Sequence, residues 1–152
     1  MRIQTVLLVA ILTLIHWSCR PGKGGNGDDL IALFPNTLDI SGTPSKPKDR
    51  SVYSFSDLGA WHSYSLSTKP SGGFVGPFLM TDDNGLWAAE QLVTFDLWKK
   101  DKKLDWKTAQ LIRSDYLPGQ LIQRYQIDDL IITQRLIFVS NRSTLVQYEL
   151  LS

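Results

Sequence analysis

Cysteine occurs once in this 152-residue chain, at Cys19, and histidine twice, at His16 and His62. One thiol allows no disulfide within the chain. One histidine outside the first 18 residues, with no second cysteine, cannot fill a zinc site from side chains of this chain. Charge of one sign is also lacking: Lys and Arg number 16 against 15 Asp and Glu, and removal of Arg2 with the N-terminal leader leaves 15 of each. A near-neutral chain gives no electrostatic reason to expect a nucleic-acid or polyanion partner. Apolar runs are short, the longest being Val6 to Ile15, about half of the ~20 residues needed to cross a bilayer. What the chain does have is a hydrophobic fraction of 43%, of which the aromatic residues supply 11%. That is the composition of a chain that folds, and the length suits one domain.

The N-terminus, MRIQTVLLVAILTLIHWSC, combines Arg2, the apolar run and the small residue Ser18 just before Cys19. This pattern predicts an export signal over residues 1–18, with Cys19 placed where a bacterial lipoprotein carries its lipid. Ordinary secretion with an unpaired cysteine is the plainer alternative, since His16 and Trp17 fit the cleavage motif poorly. Either reading makes the protein exported; the first anchors it by lipid to a membrane, facing the periplasm or the surface of a Gram-negative cell. RPGKGGNGDD, from Arg20 to Asp29, is a Gly-rich tether. No strand precedes these glycines and no Gly-Lys-Ser/Thr ends them, so they are not a phosphate loop. Residues 19–50 as a whole read as a linker followed by an irregular segment packed over the domain, and residues 51–152 as the domain proper.

From residue 51 onward the pattern is that of strands and turns. Val52 to Ser56 alternates, and Trp61 to Ser67 sets His62, Tyr64 and Leu66 on one side against Trp61, Ser63 and Ser65 on the other. Phe74 to Met80 follows a Gly72-Gly73 turn, and Gly76-Pro77 reads as a further tight turn. TDDNG, Thr81 to Gly85, is a strong turn signal. Leu86 to Leu92 is the sole helical candidate. Leu92 to Trp98 alternates again and is turned by KKDKK toward Leu104 to Lys107 as a hairpin. Gln120 to Ile127, Leu130 to Ser140 and Thr144 to Leu151, joined by Asp128-Asp129 and Asn-Arg-Ser turns, predict a three-strand meander. Apolar residues on both faces of Leu130 to Val139 suggest a strand covered on both sides, with one covering layer outside this chain. The final segment stops in mid-strand. The expectation is an all-β fold, an antiparallel β-sandwich that is incomplete at its C-terminal end.

Catalytic constellations are sparse. Ser63 adjoins His62 but points to the opposite face of the strand, so the pair cannot share a proton there. Asp82 and Asp83 are neighbours in a turn, where Asp-Asn-Gly has a local role. Asp57 and Glu90 could each serve as an acid, yet nothing pairs them across a sugar. DDNG lacks the alternating ligands and closing glutamate of a calcium loop. Trp61, Tyr64, Phe74, Phe78, Trp87, Trp98 and Trp106 could stack on sugar rings, with core and interdomain packing the favoured reading.

DLGAWHSYSLSTKPSGGFVGPFLM, together with YLPGQLIQRYQIDDLIITQRLIFVSNRSTLVQYEL, resembles the N-terminal β-sandwich domain of bacterial glycoside hydrolase family 63 enzymes of the YgjK-type α-glucosidases. The resemblance runs from about Phe55 to the C-terminus. It implies a super-β-sandwich that packs on a C-terminal (α/α)6 barrel, in an inverting enzyme acting on α-glucosyl oligosaccharides. The barrel carries that family's acid and base, and no residue here matches them, so no catalytic residue, metal or cofactor is assigned. Trp61, His62, Tyr64, Phe74, Phe78 and Trp87 become candidates for interdomain or sugar contact. The expected role is a noncatalytic supporting module; the rival is a free-standing surface lipoprotein that binds oligosaccharide.

Overall fold

The computed structural model describes residues 36–81 and 84–152. The leader, Cys19, the Gly-rich tether and the Asp82-Asp83 pair therefore lie outside the described residues. Among the described residues nine strands form in chain order: β1 (His62–Ser65), β2 (Val75–Leu79), β3 (Leu86–Trp87), β4 (Trp98–Lys99), β5 (Lys102–Lys103), β6 (Gln110–Leu117), β7 (Gln120–Ile127), β8 (Leu130–Ser140) and β9 (Ser143–Leu151). Among the described residues the one helical turn is a 3₁₀ turn, Trp106–Thr108, with Asp105 accepting the Lys107 N–H at its start.

All paired strands are antiparallel. They make a three-stranded sheet β1-β2-β3, a two-stranded ribbon β4-β5 and a four-stranded meander β6-β7-β8-β9. The fold is all-β and sandwich-like: Tyr64 and Phe74 from the first sheet meet Leu121, Leu136 and Phe138 from the meander in one core cluster. A second cluster gathers Tyr125, Ile127 and Ile132 under Leu104 and Ala109, with Phe95 and Trp106 against it.

The period of two decides the meander. On β8, Ile132, Leu136 and Phe138 are buried while Val139 is 54% exposed, and Ile131 and Ile137 are half-buried. One face is thus packed and the other partly open. β7 and β8 have the limits that the alternation and the Asp128-Asp129 turn predict, and β9 starts one residue early. Asp128 takes φ 55°, a backbone shape that aspartate tolerates. β6 is an addition: the meander has four strands, not three. A register shift between Leu111 and Arg113 interrupts its alternation, and Leu111 and Ile112 are exposed, so the signal of period two is absent there.

Three local expectations are corrected. Leu86 to Leu92 is not helical; Leu86 and Trp87 pair with Leu79 and Phe78, and Leu92 bridges Phe74. A seven-residue segment is too short to nucleate a helix against this tertiary pairing. Gly76-Pro77 is not a turn but lies inside β2, joined by a cis peptide, with Gly76 at φ 123°. A Cβ on Gly76 would sit 3.0 Å from the Ser63 carbonyl, so the neighbouring strand requires glycine. Leu92 to Trp98 is mostly irregular, because Val93 turns to φ 57° and points its side chain outward, 45% exposed. The hairpin that follows is present but short, pairing Trp98 with Lys103 and Lys99 with Lys102.

Val52 to Ser56 contributes one bridge, Phe55 to Tyr64, closed by N–H···O bonds of 2.7 and 3.0 Å. Residues 36–50 are irregular but belong to the packed unit: Ile40 is 6% exposed in the first core cluster, and Ser41 bridges Leu66.

Candidate functional site

The aromatic residues of the first sheet divide by burial. Tyr64 and Phe74 are core residues, 4% and 0% exposed. Trp87 is 5% exposed, donates its indole N–H to the Asp49 carbonyl at 2.8 Å and meets Phe78 edge to face at 5.2 Å. Buried rings have no free face for a sugar, so Tyr64, Phe74 and Trp87 hold the fold from within. Phe78 is half-buried beside Trp87. Trp61 is different: at the start of β1 it stands 68% exposed. Its backbone carbonyl accepts from the Met80 N–H at 2.8 Å, which fixes the main chain while the indole stays in solvent. Trp98, in the short ribbon, is 63% exposed, whereas Trp106 is half-buried against Phe95 and Tyr125.

His62 is half-buried beside Trp61 in sequence, tilted at 35° against Phe138 at 5.3 Å and edge-on to Tyr64 at 5.7 Å. Its ring thereby joins the margin of the core. Ser63 faces the other way and shares a 2.7 Å hydrogen bond with the Ser54 hydroxyl. The structure therefore keeps these adjacent residues apart, as alternation requires. Among the described residues no three His, Cys, Asp or Glu side chains gather as a metal site.

Trp87 is set by a loop that the sequence pattern does not reveal. Asp49 accepts four hydrogen bonds: Ser45 N–H and Oγ at 2.8 and 2.6 Å on one oxygen, and Ser51 N–H and Oγ at 2.9 and 2.7 Å on the other. Those bonds, Ser45 first, hold the Asp49 carboxyl well below the usual carboxylate range. The loop then receives the Trp87 N–H on Pro47 O and the indole N–H on Asp49 O, each at 2.8 Å. A cleft of about 250 Å³ opens beside it, between Pro44, Lys46, Pro47 and Ala88, Glu90. The available signal was serine at both i−4 and i+2 of an aspartate, which is the local chemistry of a side-chain-to-backbone turn.

A polar seam runs below the second, larger cleft, about 560 Å³, whose walls include Ser67, Lys69, Ser71, Gln91 and Thr94. Gln123 and Gln134, both 0% exposed, lie directly opposite each other on β7 and β8. Gln134 Nε2 donates to Gln123 Oε1 at 2.9 Å, and Gln123 Nε2 donates to Ser67 O at 2.8 Å and Ser114 Oγ at 3.1 Å. Tyr148 donates its hydroxyl to Gly72 O at 3.0 Å. Burial pushes the Tyr125 and Tyr148 hydroxyls above the ordinary tyrosine value. These amides and hydroxyls seat the Ser67–Gly73 loop on the meander. Nothing in the chain's hydropathy marks two buried glutamines.

The family model described as the N-terminal domain of glucosidase YgjK matches residues 39–152. The chain belongs to this family. The match takes in Ile40, the two larger sheets, the β4-β5 ribbon, both core clusters and the Asp49 loop. As a YgjK-type N-terminal domain the chain is a glucosidase N-terminal module, a kind of domain whose catalytic domain lies elsewhere in a full-length enzyme. The Trp61-His62 corner and the Asp49–Trp87 bracket are features of that module.

Proposed function

We propose that this chain is a noncatalytic module that supports the catalytic barrel of an α-glucosidase, docking through the corner where Trp61 stands exposed beside His62. Membership of the YgjK N-terminal family carries the reading. The corner is favoured because a 68% exposed indole on a fixed main chain is the kind of flat anchor that interfaces use. Hydrolysis of α-glucosyl oligosaccharide would then be performed by the barrel, with this chain contributing surface and rigidity. Arg2, the apolar run and Ser18-Cys19 favour export and a lipid anchor for the same module. The test is to mix the chain with the separately produced barrel of a family glucosidase and follow both binding and hydrolysis. The chain by itself should release no glucose, and Trp61→Ala should weaken binding to the barrel on the order of tenfold or more. Hydrolysis by the isolated chain would defeat the proposal.

A second reading, a free-standing oligosaccharide-binding surface lipoprotein, is favoured by the same exposed indole, which offers an apolar face to a pyranose ring. Calorimetric titration with glucosyl oligosaccharides distinguishes the two. Saturable binding that Trp61→Ala removes would support the carbohydrate reading over the supporting one.

A further inference from the structure

We propose that the larger cleft, between the Ser67–Ser71 loop and the Glu90–Thr94 segment, binds a neutral polyhydroxyl ligand, a glucosyl residue, whose hydroxyls are held by Lys69 and Glu90.

Three stretches of described chain line this cleft: Thr43, the loop that carries Lys69 and Pro70, and the segment that carries Glu90, Gln91 and Thr94. At about 560 Å³ it lies within the ~300–1,000 Å³ usual for small-molecule sites. Its charges define the occupant. Lys69 brings an ammonium, which only donates hydrogen bonds, and Glu90 a carboxylate, which only accepts them. Among the described residues neither takes part in an ion pair. A bound anion would meet the charge of Glu90 and a bound cation that of Lys69, so a simple ion of either sign is disfavoured. A hydroxyl both donates and accepts. Neighbouring hydroxyls of one pyranose therefore satisfy the ammonium and the carboxylate together, while Pro70 and the buried Val75 offer apolar surface to the C–H face of the ring. Thr43, Gln91 and Thr94, polar but uncharged, suit further hydroxyls better than they suit a zwitterionic amino acid.

Both charges stand on main chain that the fold fixes. Ser67 Oγ donates to Lys69 O at 2.7 Å and accepts the Lys69 N–H at 3.2 Å. Below them the buried glutamines take hold of the same loop, Gln123 at Ser67 O and Gln134 at Ser71 O, and Tyr148 holds Gly72 O. On the other side the Leu92 N–H donates to Phe74 O at 2.7 Å, and Gly73 lies against the Leu92 and Val93 carbonyls. The two walls are thus joined at Gly73-Phe74. Two fully buried amides are a costly way to seat a loop, and walls whose main chain is already ordered lose little freedom when a ligand enters.

The choice of glucose among sugars rests on the glucosidase family reading; the need for hydroxyls rests on the cleft alone. Trp61 is not in the lining, so a failure here leaves its docking to the barrel standing.

Amide NMR of the full chain during titration with maltose, and separately with glycine, tests this. Saturable shifts with maltose are expected, centred on Lys69, Glu90 and Gln91. Lys69→Ala and Glu90→Ala should each raise the dissociation constant on the order of tenfold or more. Both side chains are exposed, and the amide spectra of the variants report that each still folds. No saturable shift with maltose, saturation indifferent to both substitutions, or saturation by glycine alone would overturn the proposal. Shifts centred on Trp61 and His62 would overturn it as well, and would support the carbohydrate reading at that corner.

Discussion

The meander and the first sheet reach order by different means. In the meander, β6 to β9 run eight to eleven residues and every strand is joined to the next by a long ladder, unbroken between β7 and β8 and with one register shift on either side. In the first sheet the strands are two to five residues long, and stability passes to single contacts: the Asp49 bracket, the Trp87 indole bond, the Phe55 bridge and the close backbone crossing at Gly73. A ladder spreads its strength over many equivalent bonds. A bracket concentrates it in few, and there a single atom matters more than a residue's hydropathy.

The comparison breaks most sharply in the core that both regions share. Leu136, 0% exposed on central β8, touches the cluster that joins the two sheets. Leu136→Ala should cost about 2–5 kcal/mol in chemical denaturation, and near-UV signals from both regions should be lost together. Separate transitions would mean that the two sheets are not one cooperative unit.

Gly73→Ala tests the crossing. An added Cβ would lie 2.1 Å from Val93 O and 2.3 Å from Leu92 O, both backbone atoms that cannot swing away. A loss of about 1–3 kcal/mol is expected, with hydrogen exchange speeding up in the first sheet before the meander.

Asp49→Asn sharpens the comparison through pH. The carboxyl's ordinary value is 3.8, and the serine bonds lower it in the folded chain. A lowered folded value means that the contribution is complete above about pH 4 and fades as pH falls through the folded value. Melting temperatures of wild type and Asp49→Asn should therefore differ most near neutrality and converge in strong acid. A gap of equal size at neutral and strongly acidic pH would show that the bracket does not depend on the carboxylate charge.

The smallest effect is expected at the exposed Lys99–Asp129 pair, which ties the β4-β5 ribbon to the β7-β8 turn. Lys99 lowers the Asp129 value by its hydrogen bond, yet both side chains are more than half exposed. Lys99→Ala should change stability only slightly at low salt and by less at high salt, as urea titrations at the two ionic strengths would show.

The same contrast explains what could be foreseen. β7 and β8 are legible because alternation and turn residues agree over each whole strand, whereas β1 shows in its residue pattern although both of its faces are buried and its register shifts between Ser63 and Ser65. β6 is not legible, because its register shift breaks the period at Leu111 to Arg113. Leu86 to Leu92 reads as a helical candidate because so short a run has no clear period, and pairing with Leu79, Phe78 and Phe74 decides its shape. The exposed aromatic candidate is visible as a residue but not as an exposed one: Trp61 and Trp87 look alike in sequence, and the Asp49 loop and the Phe78 ring enclose Trp87 alone. That loop, and the glutamine seam, depend on distant hydrogen bonds that hydropathy does not encode.

The seam has one more consequence. Gln123 and Gln134 sit face to face, and the bond from Gln134 Nε2 to Gln123 Oε1 exists only in that alignment. Sliding β8 by a single residue along β7 would turn one amide outward and swing a neighbour such as Arg135 into the apolar interior. The pair behaves as the wards of a lock: a hairpin out of alignment by one residue parts the two amides and brings a charge to the packed face, so the native register is set apart from its neighbours by more than hydropathy.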